Sequence, residues 1–366
     1  MILSNNINVY LRTTDTCNLN CQHCFTSGSN GKKIYIDHNK TINFFGRLIS
    51  DFPHIQHIDI SFHGGEPMLL QPSKMRALYE DLKKVIPSVS FGTQTNLVFK
   101  LTEERRQLFK DLFYDVGFGT SWDYDIRFGS TASKENKNKI AQQQRELWEH
   151  NVRELVKDGH QMTMIVCMTN RLIKEKEPKE IIEYAANLGF KWILFERITL
   201  DGNAIDNPEI RPRNQEQDDW LKKMWDQTIE FKLYEKIGNM LLDEISRAFL
   251  YREHTANRCR NCQQSLLTIT AAGKIYGCPN STDGPPWGNI DMRPIDVINS
   301  RGRSCAVVKE QTRRDECLVC PAFDICNGDC HQLPWEGSKC GAPQEIFKYL
   351  MKNQPIEECK KLLMRD

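Results

Sequence analysis

Three cysteines, Cys17, Cys21 and Cys24, stand with three and then two residues between them, in Cys17-Asn-Leu-Asn-Cys21-Gln-His-Cys24. Thiolates are the usual ligands of 4Fe–4S clusters, and so short a loop lets one segment wrap three corners of the cube. A cluster used only to pass electrons wants a fourth cysteine close by, and none occurs before Cys167. Three ligands leave one iron open, the arrangement of a reactive metal site rather than a structural one. The same residues also permit a zinc knuckle completed by His23.

Ten of the fourteen cysteines fall between Cys259 and Cys359. Cys262 and Cys278 flank Gly273, and Cys317-x2-Cys320-x5-Cys326-x3-Cys330 is followed by Cys340. The first residues, Met-Ile-Leu-Ser-Asn-Asn, lack a charged and then apolar secretory signal, so a cytoplasmic protein is expected. In that compartment clustered cysteines at short spacings argue for metal rather than disulfides. One or two structural zinc sites with four cysteines each would use the same spacings. Cys167, Cys305 and Cys359 stand outside the pattern, and Cys167 reads as a small core residue.

A net charge of +1 without a dense Lys/Arg run argues against a nucleic-acid partner. No apolar stretch approaches the roughly 20 residues that span a bilayer, so no membrane partner is expected. With 366 residues, 40% hydrophobic and 27% charged, the chain can bury a large core in two domains or one large one.

The elements that must position these cysteines alternate in type. Strand patterns are read at 7–13, 56–62, 90–96, 115–121, 161–168 and 191–197, and helix patterns at 39–52, 73–85, 102–112, 136–157 and 178–188. Six strands in β/α alternation imply an α/β fold with a parallel sheet, either a closed or a partial barrel. Reactive groups in such folds sit at the carboxyl ends of the strands. The cysteine loop, Gly64–Pro67, Asn96, Ser121–Asp123 and Thr169–Asn170 all fall there. Residues 216–254 read as helical, with Trp220, Leu221, Met224 and Trp225 as a packing stripe. Beyond Thr255 the Cys-, Gly- and Pro-rich chain has little periodicity and needs metal staples.

With His23 in the aromatic place just before its third cysteine, the N-terminal triplet resembles the signature of the radical S-adenosylmethionine (SAM) superfamily. That resemblance implies a partial (β/α)6 TIM-like barrel followed by a small cysteine-rich iron–sulfur domain. It further implies SAM chelated to the open iron, reductive cleavage, and hydrogen abstraction by a 5′-deoxyadenosyl radical. By the same resemblance Gly64, Gly65, Glu66 and Pro67 receive the SAM amino group, Ser121 and Asp123 contact the ribose, and Asn96 and Asn170 line the pocket. The later cysteines resemble the SPASM extension, which carries two auxiliary clusters, so three 4Fe–4S clusters are expected in all. Cys259, Cys262, Cys278 and Cys330 would then hold the first auxiliary cluster, and Cys317, Cys320, Cys326 and Cys340 the second. The expected units are a barrel over 1–215, a helical connection over 216–255, the SPASM region over 256–345 and a C-terminal helix over 346–366.

Two subgroups share this layout. In sulfatase-modifying enzymes an Asp serving as base follows the cysteine of the Gly-x4-Cys unit; here that place is Pro279, although Asp283 lies near. The other subgroup cross-links side chains of ribosomal precursor peptides, and it is the expected class, with a sulfatase-maturase-like or small-molecule radical SAM dehydrogenase as the alternative and an electron donor such as flavodoxin or ferredoxin as second partner. Sixteen residues precede Cys17, so leader recognition is expected to use another surface or a separate protein. The loop from Ser121 to Arg127 is shorter than usual before its Asp-x-x-Arg-like end. Tyr276, Asp283 and His331 are polar residues near the cysteines, and none is read as the catalytic acid or base.

Overall fold

In the computed structural model the described residues are 3–28, 33–256, 260–280, 282 and 284–364. Six parallel strands run in sequence order: β1 Asn6–Thr14, β2 His57–Gly64, β3 Val89–Thr95, β4 Phe118–Trp122, β5 Met162–Cys167 and β6 Trp192–Glu196. Helices α1 His38–Asp51, α2 Pro72–Val85, α3 Glu103–Phe113, α4 Lys137–Lys157, α5 Asn170–Glu175 and α6 Pro178–Leu188 connect them. Each starts where local chemistry favours it. Asp37 and Thr102 cap α1 and α3 through their side chains, and Pro opens α2 and α6 where a missing N–H costs nothing. In α1 the residues Thr41, Phe44, Phe45 and Leu48 recur at helical spacing and form its buried face.

One face of each barrel strand is largely buried, all apolar in Ile7, Val9 and Leu11 or Met162, Met164 and Val166 and mixed in Phe91, Thr93 and Thr95. This face packs on the helices. The alternate face carries Tyr10, Arg12, Ser61, His63, Gln94, Ser121, Ile165, Leu194 and Glu196 and lines the inside of the curved sheet. The result is the expected α/β partial barrel.

The sheet extends beyond six strands. Short β7 Gly238–Asn239 pairs with β6, and β8 Leu266–Ile269 lies parallel to β1, followed by antiparallel β9 Lys274–Tyr276 and β10 Gly288–Asn289. The ten strands form one open sheet in the order β10-β9-β8-β1-β2-β3-β4-β5-β6-β7. Four-residue and shorter strands give too little alternation to read in a sequence.

Two helical expectations change in detail. The helix expected over 216–254 is two, α7 Asn214–Glu230 and α8 Met240–Tyr251, broken where Lys232 adopts a left-handed backbone with φ +51°. The C-terminal helix is also two, Gln344–Asn353 and Ile356–Leu362. Gln354 (φ +49°) and Pro355 interrupt it, because proline cannot supply the N–H that would continue the ladder. Among the described residues no helix is long and apolar enough to cross a membrane.

Candidate iron–sulfur and cofactor site

The loop carrying Cys17, Cys21 and Cys24 leaves the carboxyl end of β1 and is stitched to the end of β2. The Gly65 and Glu66 amides donate to Thr14 O and Thr16 O, each at 2.9 Å. A Cβ on Gly64 would run into Thr14 O, and one on Gly65 into Thr16 O with Cys17 N 2.9 Å away. Gly64 also holds φ +138°, open only to glycine. The paired glycines thus let the two loops touch. Gly28 approaches from the other side, with a built Cβ only 2.8 Å from Gly65 Cα and 3.1 Å from Cys17 Cβ.

Glu66 is almost fully buried, and burial pushes its carboxyl pKa up against the pull of its hydrogen bonds. Its Oε1 accepts from the Met68 amide (3.0 Å) and Thr95 Oγ1 (2.7 Å), and its Oε2 from the Asn96 amide (2.7 Å). A carboxylate offers about four acceptor positions, so two are used in holding the end of β3, one in capping its own turn, and one is left. Pro67 opens the 3-10 turn Pro67–Leu69, which Glu66 caps. Asn96 reaches back to the cysteine loop, donating to Asn18 Oδ1 at 2.8 Å and lying 3.7 Å from Cys17 Sγ.

At the mouth of β4, Asp123 is fully buried. Burial alone would raise its pKa; the Arg127 guanidinium, His23 and the Cys167 amide outweigh it and hold the carboxyl below its ordinary value. Arg127 Nε donates to Oδ2 at 2.7 Å and Cys167 N to Oδ1 at 3.0 Å. His23 lies beside this pair, 3.9 Å from Asp123 Oδ2. Burial, with Arg127 adding to it, pushes the His23 pKa down to about 4, so the ring is neutral at pH 7. His23, Asp123 and Cys167 approach closely enough for a cation. The Arg127 guanidinium already fills that electrostatic role. Thr169 caps α5, and Asn170, its first residue, directs Nδ2 toward Glu209 O at 3.5 Å.

Sequence reasoning missed the polar chain beneath this mouth. The Gly64 amide donates to His63 Nδ1 (2.8 Å), His63 Nε2 meets Gln94 Oε1 (3.2 Å), and Gln94 Nε2 donates to Ser121 Oγ (3.3 Å). The chain crosses β2, β3 and β4 on their inner face. It missed Arg12 too, which lies over the Phe25 ring and donates to Pro279 O (3.3 Å) and Thr282 Oγ1 (3.1 Å), linking the first cysteine loop to the residue after Cys278. Glu196 ends β6 on the same inner face, its pKa raised by burial. The signal for all of them was the alternate-residue phase of the strands.

Among the later cysteines, Cys259 lies outside the described residues, as does Asp283. Cys262 opens a short helix whose first amides, Cys262 N and Gln263 N, bind the Glu310 carboxylate at 2.6 and 3.2 Å. Burial raises the thiol pKa values of Cys278, Cys317 and Cys340. Cys326 is buried at the end of the helix Phe323–Cys326. Cys305 is exposed, and Cys359 is buried. Cys167 sits in a small apolar group with Ile126, Ile198, Ala204 and Ile210.

The donor set fits an iron–sulfur cluster. None of the described cysteines is in a disulfide with another. Burial pushes Cys17 up to about 12 and Cys21 higher still, so thiolates form there only when a cationic metal core draws them out. Among the described residues no three cysteine sulfurs lie within 4.8 Å of one another. A single zinc with bonds of about 2.3 Å needs its sulfurs roughly 3.8 Å apart.

A family profile described as a 4Fe-4S single cluster domain matches residues 8–119. By sequence, no curated protein matches the chain. Among solved structures the chain is similar to native anSMEcpe with bound AdoMet and Cp18Cys peptide, at 17% identity and a TM-score of 0.75, covering 98% of this chain and 99% of that one. It is also similar to Streptococcus suis SuiB bound to S-adenosylmethionine, at 14% identity and TM-score 0.60, over 90% of this chain and 74% of SuiB. SuiB bound to precursor peptide SuiA aligns at 13% identity and TM-score 0.61, over 90% and 72%. These likenesses establish the fold: a mixed α/β partial barrel shared with SAM-bound structures.

Proposed function

We propose that this chain is a radical SAM maturase acting on a peptide, with Cys17, Cys21 and Cys24 holding a 4Fe–4S cluster and the eight later cysteines two more. The observation that carries it is the placement of the cysteine triplet at the mouth of the barrel, pinned by Gly64 and Gly65, with Asn96 3.7 Å from Cys17 Sγ and Asp123 3.9 Å from the His23 ring. Structures of the same fold hold AdoMet, as anSMEcpe does, or a peptide, as anSMEcpe and SuiB do. Bound there, cluster and SAM would supply a 5′-deoxyadenosyl radical able to take hydrogen from an unactivated C–H bond.

The chain's own residues orient and exclude. Neutral His63, through Gln94, fixes the Ser121 hydroxyl as an acceptor toward β3 and leaves its proton for the ligand. Glu66 offers its remaining acceptor position. Buried Arg127 holds His23 and Asp123 beside Cys24. Around them the buried mouth keeps water from a reactive ligand.

The proposed product is a side-chain cross-link in a precursor peptide. A second reading, a sulfatase-maturase-like oxidation, is favoured by the end-to-end match with anSMEcpe and weakened by Pro279 in place of an acidic residue. Anaerobic reconstitution tests the common part: about twelve irons per chain and 5′-deoxyadenosine formed with dithionite and SAM are expected. Two zincs and no SAM cleavage would overturn it. Mass spectrometry of a peptide encoded beside the enzyme then separates the two readings. Loss of two hydrogens joining two side chains supports the first; the second is supported by loss of two hydrogens confined to one Ser, or by one Cys losing two hydrogens and exchanging its sulfur for the oxygen of water, with sulfide released. A flavodoxin or ferredoxin as donor, and a cytoplasmic site, belong to the same proposal.

A further inference from the structure

The sharpest feature outside the cofactor mouth is a buried ion pair. Arg197, just past β6, and Asp329, just before Cys330, have side chains 3% and 4% exposed. The guanidinium grips the carboxylate with both arms, Nη1 to Oδ2 at 2.8 Å and Nη2 to Oδ1 at 2.7 Å. Nη1 also donates to Gly341 O at 2.9 Å, immediately after Cys340. On the other side, Asp329 Oδ1 accepts the Cys330 amide at 2.6 Å, and the Asp329 amide donates to Cys326 O at 2.9 Å. One arginine on the barrel rim thereby touches the backbone framework of Cys326, Cys330 and Cys340.

Asp329 occupies this place at a conformational cost. Asn327, Gly328 and Asp329 all hold left-handed backbone, at φ +51°, +77° and +49°. Glycine would adopt that conformation at position 329 without strain. Nor does a buried ion pair in general stabilise a fold beyond what apolar residues would achieve. Its use here is geometric, since a bidentate pair fixes orientation as well as distance. β6 pairs with β5 through Glu196 and Cys167, and the Cys167 amide is bound to Asp123 at the cofactor mouth.

We infer that Arg197 and Asp329 form a positioning latch that seats the Cys326–Cys330 and Cys340 loops on the barrel rim and sets the spacing between the SAM-binding cluster and the auxiliary clusters. This rests on the proposed function. Neither residue touches the reacting atoms; both act through the cysteine loops.

The test compares the reconstituted full-length protein with Asp329→Gly, which relieves the left-handed strain while deleting the carboxylate. The readouts are iron per chain, cluster reduction potentials by electron paramagnetic resonance, and 5′-deoxyadenosine formed from SAM with dithionite. If wild type binds no iron or cleaves no SAM, the proposed function fails and the latch falls with it. With wild type active, the latch requires Asp329→Gly to lose about four irons or shift an auxiliary-cluster potential, while SAM cleavage persists. An Asp329→Gly protein identical to wild type in all three readouts makes Asp329 a turn residue only and overturns the latch. Should that variant not fold, Asp329→Asn is judged by the same readouts and the same criterion. Arg197→Lys, which keeps the charge but not the two-armed grip, is expected to be intermediate; wild-type behaviour in it would remove the geometric role.

Discussion

At His63 the Gly64 amide donates to Nδ1, so the ring proton must sit on Nε2 and point at Gln94 Oε1. Burial, with the Arg12 charge adding to it, lowers the His63 pKa to about 4 and keeps the ring neutral, as the relay requires. His63→Phe keeps the ring but removes both polar atoms. SAM binding by equilibrium dialysis is expected to weaken roughly 3- to 10-fold, the worth of one net hydrogen bond. The same shift makes stability depend on pH. Between about 4 and the ordinary 6.5 the unfolded chain binds the proton and the folded chain does not, so ∂ΔG/∂pH is positive. The contribution is complete above pH 6.5 and lost as pH falls toward 4, by up to about 3 kcal/mol. Urea melts of the metal-free chain across that window should show the slope in wild type and a shallower one in His63→Phe. Gly65 makes a second prediction. In Gly65→Ala the methyl meets Thr16 O and Cys17 N, which should cost about 1–3 kcal/mol and lower the iron retained by the triplet. Gly284→Ala, with open space at its Cβ, should leave both the melting temperature and the iron unchanged.

At the scale of elements, the six barrel strands and the longer helices between them were legible because each is long enough to show its period, whereas α5, Asn170–Glu175, is too short to show one and was not read. His38–Asp51 and Pro72–Val85 lie within a residue of their expected bounds, helped by Asp37 and by Pro72. Interruptions were harder. Nothing around Lys232 advertises a turn, yet the chain reverses there at φ +51° between α7 and the short turn Leu233–Glu235. A left-handed lysine costs about 1 kcal/mol or somewhat more, part of which glycine returns to unfolded-state freedom. Lys232→Gly is therefore expected to raise stability by about 0.5–1 kcal/mol, visible as a higher melting temperature by calorimetry. Unchanged or lower stability would mean that the lysine side chain matters more than its backbone.

Across the whole molecule, β8 joins the cysteine-rich stretch to the barrel by pairing Leu266–Ile269 with Asn8–Leu11 on β1. The expected boundary at 256 thus separates regions of sequence that share one sheet. A chain ending at residue 255 would expose the edge of β1, with buried Ile7, Val9 and Leu11 beside it. A bare, apolar edge of that kind pairs with other chains. Gel filtration of this truncation is expected to show aggregate, whereas a well-behaved monomer would mean that the barrel folds alone.

By itself the sequence determined the spacing of the cysteines and, through the β/α order, the end of the sheet at which the cysteine triplet and Gly64–Pro67 gather. Thiol spacing and glycine pairs are local, and strand alternation records which face of the sheet packs on the helices. Tertiary structure alone decided how those residues are committed. Glu66 turns most of its acceptors to Thr95, Asn96 and Met68, and Asp123 is shared by Arg127 and Cys167. The Cys330 and Cys340 loops are held by an arginine more than 130 positions away in the chain. Such pairings depend on which surfaces packing brings together, and no spacing along the chain encodes them. The open cysteine triplet was visible in eight residues; its setting required the whole sheet.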